Sequence, residues 1–291
     1  MSTAIILRAI QLGLVFAVLS LGEYITVGIM DNPDLTVDGS FVTGGAVCAM
    51  MTIAGFPNLG LFAAFIAGIL CGCVTAFLQT KMKIQPLLAG ILTMTGLYSV
   101  NLRIMNGSPN VTLHASGMSD HTILSNDATR LYVLLAIVIA LILAMYLFFK
   151  TSIGLMLRAT GDNEEMVSSS SINVDNMKFL GLGLSNGLVA LSGALLVQFQ
   201  NFADVTGGTG MLVLGLAGII IGEAILRPKG IGMGLIAAAL GAVLYRLLYT
   251  FALQLGFAAT DMNLVSSVLV AVTISIPYLQ KLAKKRKSEH A

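Results

Sequence analysis

Lys150–Lys178, KTSIGLMLRATGDNEEMVSSSSINVDNMK, is the longest polar interruption between two apolar runs that also carries both signs of charge. Leu131–Phe149 precedes it and Phe179–Ala203 follows it, and neither run holds a charged residue. The stretch reads as a loop at a membrane surface with a short helix in its middle. Asp162 and Asn163 are N-cap types, and Glu164 and Glu165 then fall in a first helical turn, where the helix dipole favours acids. Such a helix either presents a face to a soluble partner or lies in the interface and only reconnects two spans.

Outward from this loop, composition sets the class. Hydrophobic residues make up 56% of the 291-residue chain and charged residues 10%, and mean hydropathy is +0.90. Soluble domains carry about 25% charged residues, and one soluble core cannot absorb this much apolar surface. Residues 39–80 contain no Asp, Glu, Lys or Arg. The apolar runs are continuous rather than alternating, which excludes a β-barrel. The expected fold is an all-α polytopic membrane protein in a single domain, 1–291. Residues 1–149 form its first half, 150–178 the cytoplasmic loop, 179–280 the second half and 281–291 a basic tail. Cys48, Cys71 and Cys73 lie inside apolar runs and read as packing residues. Ile5–Met30 is too long for a cleavable signal peptide.

A span needs about 20 apolar residues. Full-length candidates are Ile5–Met30, Leu59–Gln79, Pro86–Asn101 continuing to about Met105, Leu131–Phe149, Phe179–Phe199, Gly232–Phe251 and Met262–Leu279. Phe41–Ala54 and Met211–Leu226 are short. The expectation is thus 8–9 segments, two of them short or broken. With the tail inside and every segment crossing, 12 of the 16 Lys and Arg collect on one side. The positive-inside rule then places the C-terminus in the cytoplasm and the N-terminus outside.

The two short segments share a pattern. Asp34-Leu-Thr36 precedes one and Asp204-Val-Thr206 the other, 170 residues apart; glycines follow both, and Pro57 and Pro228 close the units. An odd number of segments separates them, so they would lie in opposite orientation. Inverted-topology repeats with short, Gly-interrupted helices build transport sites in this way; two unrelated loops of membrane-protein composition are the alternative. Asp34, Thr36, Asp38 and Ser40, with Asp204, Thr206 and Thr209, are the candidate substrate-pathway residues, or else plain helix caps.

RATGDNEEMVSSSSINVDNMKFLGLGLSNGLVALSGALL resembles the cytoplasmic loop and following helix of ABC importer permeases of the branched-chain amino acid and ribose class. PDLTVDGSF (Pro33–Phe41), GILTMTGLYSVNLRIMNGSPNVTL (Gly90–Leu113) and GLAGIIIGEAIL (Gly215–Leu226) resemble a narrower group, small permeases assigned to tryptophan/tyrosine or uncharacterised substrates. One departure stands out: Ser171 occupies the place before Ile172 where that class usually has glycine. The resemblance implies a permease subunit of an ATP-driven importer in the inner membrane, a homodimer fed by an extracellular substrate-binding lipoprotein. Arg158, Gly161, Asp162, Asn163, Glu164 and Glu165 would then belong to a coupling helix seated on separate ABC ATPase subunits. ATP and Mg would bind that ATPase, with no cofactor in this chain and no nucleic-acid partner. Independently, no G-x-x-x-x-G-K-S/T phosphate loop occurs, so this chain is not expected to be an enzyme that hydrolyses ATP.

Glu23, Arg103, Glu223 and Arg246 are ionisable residues within or at the ends of spans. Such groups are costly in lipid and usually face an interior or a partner. Arg103 is expected to snorkel outward and Glu23 and Glu223 inward, while Arg246 sits deeper and needs a structural partner or a substrate. An ion-gradient-driven secondary transporter using these charges is the alternative function. His114, Asp120 and His121 lack a metal-ligand spacing.

Overall fold

The computed structural model describes residues 3–113, 122–124, 127–170, 172–255, 267, 268, 271, 272 and 275. Helices account for nearly all regular structure within them. The first is α1 (Thr3–Glu23), which runs straight into a π-helical turn, Tyr24–Ile29. Helices α2 (Val37–Ile53), α3 (Pro57–Thr80), α4 (Pro86–Ile104) and α5 (Asp127–Lys150) follow. The central loop folds as α6 (Ser152–Asp162) and α7 (Glu164–Ser169), and α8 (Val174–Gln200), α9 (Met211–Leu226) and α10 (Ile231–Gln254) complete the bundle. Among the described residues, six helices are long and apolar enough to cross a membrane, and α2 and α9 are the shorter apolar pair. Of the expected span Met262–Leu279 only 267, 268, 271, 272 and 275 are described, and the basic tail, His114, Asp120, His121 and Ser171 lie outside the described residues.

The breaks have local causes. Asp31 adopts positive φ just before Asn32-Pro33, and Gly55 does so before Pro57, the first residue of α3. Proline lacks an N–H and fixes φ, so it starts helices well and interrupts them badly. Arg227, also at positive φ, ends α9 before Pro228.

Helices α1 and α8 form the centre, and α4 and α5 lie at the periphery with broad apolar exposure. Helix α8 packs on α2 and α3, while α1 packs on α8 and α10 and α9 packs on α10. Small residues set the approach. A Cβ on Gly44 would overlap the backbone of Ala190, and one on Gly241 would overlap Gly218. Lipid supplies no hydrophobic drive between helices, so close packing and interhelical hydrogen bonds must hold them. Three serines on these seams bond carbonyls across helices: Ser20 to Gly215 (3.2 Å), Ser185 to Gly22 (2.8 Å) and Ser192 to Val15 (2.8 Å).

One element departs from the all-α expectation. Strands β1 (Asn110–Thr112) and β2 (Phe202–Asp204) pair antiparallel, with Asn110 opposite Asp204. This ribbon ties the α4–α5 connection to the α8–α9 connection at one end of the bundle. At the other end, Lys81 after α3 pairs with Asp175 at the start of α8 (3.1 Å).

Candidate functional site

Asp34 is fully buried where the chain re-enters the bundle before α2. Its Oδ1 accepts the Thr36 N–H (2.9 Å), and its Oδ2 accepts the Asn186 side-chain amide (2.7 Å). Asn186, at mid-length of α8, also donates to the Leu182 carbonyl (2.9 Å) and accepts from Ser40 Oγ (2.6 Å). From Thr36 the chain of bonds continues to Thr75 on α3 (2.7 Å) and on to Thr93 on α4 (3.0 Å). Four elements thus meet at one polar core inside an apolar bundle. Irregular backbone is tolerated at membrane depth only where protein or a cavity satisfies it, and this network does so.

Asp204-Val-Thr206 forms the same turn as Asp34-Leu-Thr36: the Thr206 N–H donates to Asp204 Oδ1 (2.8 Å). The two acid-Thr turns do not touch each other in a bond; Asp38 joins their units instead. From the first turn of α2 it accepts the N–H of Gly210 (3.0 Å) and of Leu212 (2.9 Å), capping α9 from another helix. Asp38→Ala leaves both amides without this acceptor and is expected to lower stability by about 1–2 kcal/mol in a thermal melt. A change indistinguishable from wild type would show that solvent already serves them.

The expected pathway residues therefore divide. Asp34, Thr36 and Ser40 are buried and mutually bonded, with Thr206 and Thr209 exposed. Asp38 and Thr209 line a cavity of about 390 Å³ against Tyr98 and Asn101 of α4. Asp204 lines another, of about 240 Å³, together with Gly207, Phe41, Met211 and Arg246. Asn186, Thr75 and Thr93 are functional candidates that the sequence reading missed. Their signal was available as isolated polar side chains within apolar spans.

The ionisable residues also separate. Glu23 is fully buried, neither carboxyl oxygen has a hydrogen-bond partner, and the group packs directly on Gly215 of α9. It does not snorkel as expected, because the carboxyl group turns inward and packs where Gly215 of α9 has no side chain. Arg103 and Glu223 are exposed. Arg246 stacks against Phe16 (5.5 Å) and Tyr249 (4.7 Å). Among the described residues no group of three His, Cys, Asp or Glu could hold a metal.

In the central loop, Asp162 ends α6 rather than capping the next helix, and Asn163 is the cap, accepting the Met166 N–H (3.0 Å). Glu164 pairs with Lys178 (2.7 Å), and Glu165, Arg158 and Met166 are exposed. Gly161 lies so close to the π-helical turn that a Cβ would overlap the Ile29 carbonyl and press on Met30. The loop is therefore docked against the first span, not draped over it.

A family model described as branched-chain amino acid transport system / permease component matches residues 5–276. The chain is 37% identical over 281 residues to a tyrosine transport system permease protein of Clostridioides difficile, covering 96% of this chain and 94% of that one. It is 26% identical over 271 residues to a ribose import permease protein of Escherichia coli, covering 89% and 81%. In fold alone it is similar to a chain of the structure titled "PsaBC from Streptococcus pneumoniae in complex with Fab", with TM-score 0.56 at 15% identity, covering 94% and 90%.

Proposed function

This chain belongs to the family of branched-chain amino acid transport system permease components, and from that premise we propose that it is the transmembrane subunit of an ATP-driven importer for a small solute, an amino acid. The family is one of multi-span membrane permeases rather than enzymes. The substrate class follows the tyrosine permease of Clostridioides difficile. An extracellular binding protein would deliver it, and ATP and Mg would act on a separate ATPase.

The observation that carries this reading is the central loop. An Asn163-capped helix holds Glu165 and Met166 exposed while Gly161, one turn away, seats the loop on the π-helical turn. A surface that is free on one side and locked to a span on the other suits a coupling helix. We place this loop, Lys81 and the C-terminus in the cytoplasm and the N-terminus outside, as the charge distribution favours.

The repeat reading gains support from matched parts. The acid-Thr turn recurs before α2 and before α9, α3 packs on α8 as α10 packs on α1, and α9 accepts its cap from α2. Two inverted halves, in a dimer with a second copy, would rock about this junction to alternate access.

Co-purification with the ATPase tests the proposal. Glu164→Arg/Glu165→Arg should lower ATPase retention by about tenfold or more while the permease still folds, since reversed charges oppose the partner surface. Wild-type chain that purifies alone and moves substrate down an ion gradient would favour the secondary-transporter reading, for which unpartnered Glu23 is the natural proton carrier.

A further inference from the structure

Arg246 has a charge, a cavity and, among the described residues, no carboxylate within ion-pair distance. Its guanidinium lies against the faces of Phe16 and Tyr249, and among the described residues no acid forms an ion pair with it. Its Nε is buried without a hydrogen-bond partner. Ring stacking holds such a cation in place but satisfies none of its five in-plane donors. A half-buried arginine with an unmet Nε donor lining a cavity suits an anion, and its planar fork matches a carboxylate.

Asp204 lines the same cavity. Thr206 donates to its carboxylate from both N–H and Oγ1 (2.8–2.9 Å), which fixes its orientation. A carboxylate has about four acceptor sites, so capacity for an ammonium remains. Between these poles the walls are apolar and include the aromatic and thioether side chains of Phe16, Phe41 and Met211. Such surfaces favour an aromatic ring.

We propose that Arg246 and Asp204 are the carboxylate and ammonium poles of a binding site for a zwitterionic aromatic amino acid, in the cavity of about 240 Å³ beneath the β1–β2 ribbon. This rests on the permease reading and adds to it a recognition site inside the membrane subunit. Thr206 is a positioning residue for Asp204, and Phe16 and Tyr249 position Arg246.

The test is equilibrium dialysis of radiolabelled L-tyrosine against the purified full chain in lipid nanodiscs, with its ATPase retained and no external binding protein present. Competitors are tyramine, which lacks the carboxylate, and 3-(4-hydroxyphenyl)propionate, which lacks the amine. Each should compete about 10- to 100-fold more weakly than unlabelled L-tyrosine, the worth of one charge-assisted contact. Arg246→Gln should weaken L-tyrosine by a similar factor and abolish its preference over tyramine, with Arg246→Lys between. Asp204→Asn should abolish only the preference over the propionate. Tyramine that competes as well as L-tyrosine in the wild type overturns the site, as does the absence of any displaceable binding. The wild-type comparison stands even if the arginine variants fail to fold. A chain that holds its ATPase but fails here keeps the permease role and loses this site.

Discussion

Asn186→Leu should cost about 2–5 kcal/mol of stability, because it leaves buried polar groups with nothing to bond. The substitution nearly conserves volume, so packing changes little and the loss isolates the hydrogen bonds. Asn186 serves Asp34 Oδ2, Ser40 Oγ and the Leu182 carbonyl at once, and Asp34, Ser40 and Asn186 are all fully buried. Removing the amide leaves the Asp34 carboxyl group with Thr36 alone and strands the Ser40 hydroxyl. Each stranded group retains its desolvation penalty. Asp34→Leu/Asn186→Leu, which removes both partners, should therefore be less destabilised than the two single variants summed, with a coupling of about 1 kcal/mol or more. Thermal unfolding in detergent reads all three. A single variant within about 0.5 kcal/mol of wild type, the range of ordinary surface changes, would mean that water already replaces the amide and that the junction is wet.

The same network shows where sequence reading stops. The long spans follow from length and apolar composition, and the short helices from Gly, Thr and Pro at their edges, because both signals are local. Asp34, Thr36 and Ser40 stood out for the same reason. Their partner Asn186 was legible only as an isolated polar side chain in an apolar span; its bonds to Asp34 and Ser40 cross 152 and 146 residues, so nothing local in α8 names its partners. The ribbon was equally hidden: Asn-Val-Thr and Phe-Ala-Asp are too short to signal strands, and each pairs only because the bundle brings the other near. Glu23 was misplaced for a similar reason: its carboxyl group packs on Gly215 of α9, a contact distant in sequence that nothing local in the first span announces. In the central loop both cap candidates were legible and Asn163 is the one that serves, because capping chemistry resides in the side chain itself.

Gly161→Ala should uncouple transport from ATP hydrolysis while leaving the ATPase bound. Gly161 lies in α6, where alanine is the better helix former, so local propensity predicts a small gain. The steric consequence runs the other way: the added methyl would overlap the Ile29 carbonyl, which is backbone and cannot rotate aside. Either α6 lifts off the first span or the π-helical turn gives way. That turn follows Glu23, which packs on Gly215 of α9, and leads through Asp31 to Asp34 and the polar junction. The contacts thus form a continuous path from the loop to both short helices, and π-helical turns are frequent at functional sites. The exposed face of α7 is untouched, so ATPase retention should match wild type. Substrate moved per ATP should fall about 5- to 150-fold, the range of a coupling energy of about 1–3 kcal/mol. Gly96→Ala in α4, where a Cβ meets nothing, is the matched control and should transport normally. Normal coupling in Gly161→Ala would mean that the close approach at Ile29 is a packing contact, and that force from α7 must enter the bundle through Lys178 and α8 instead.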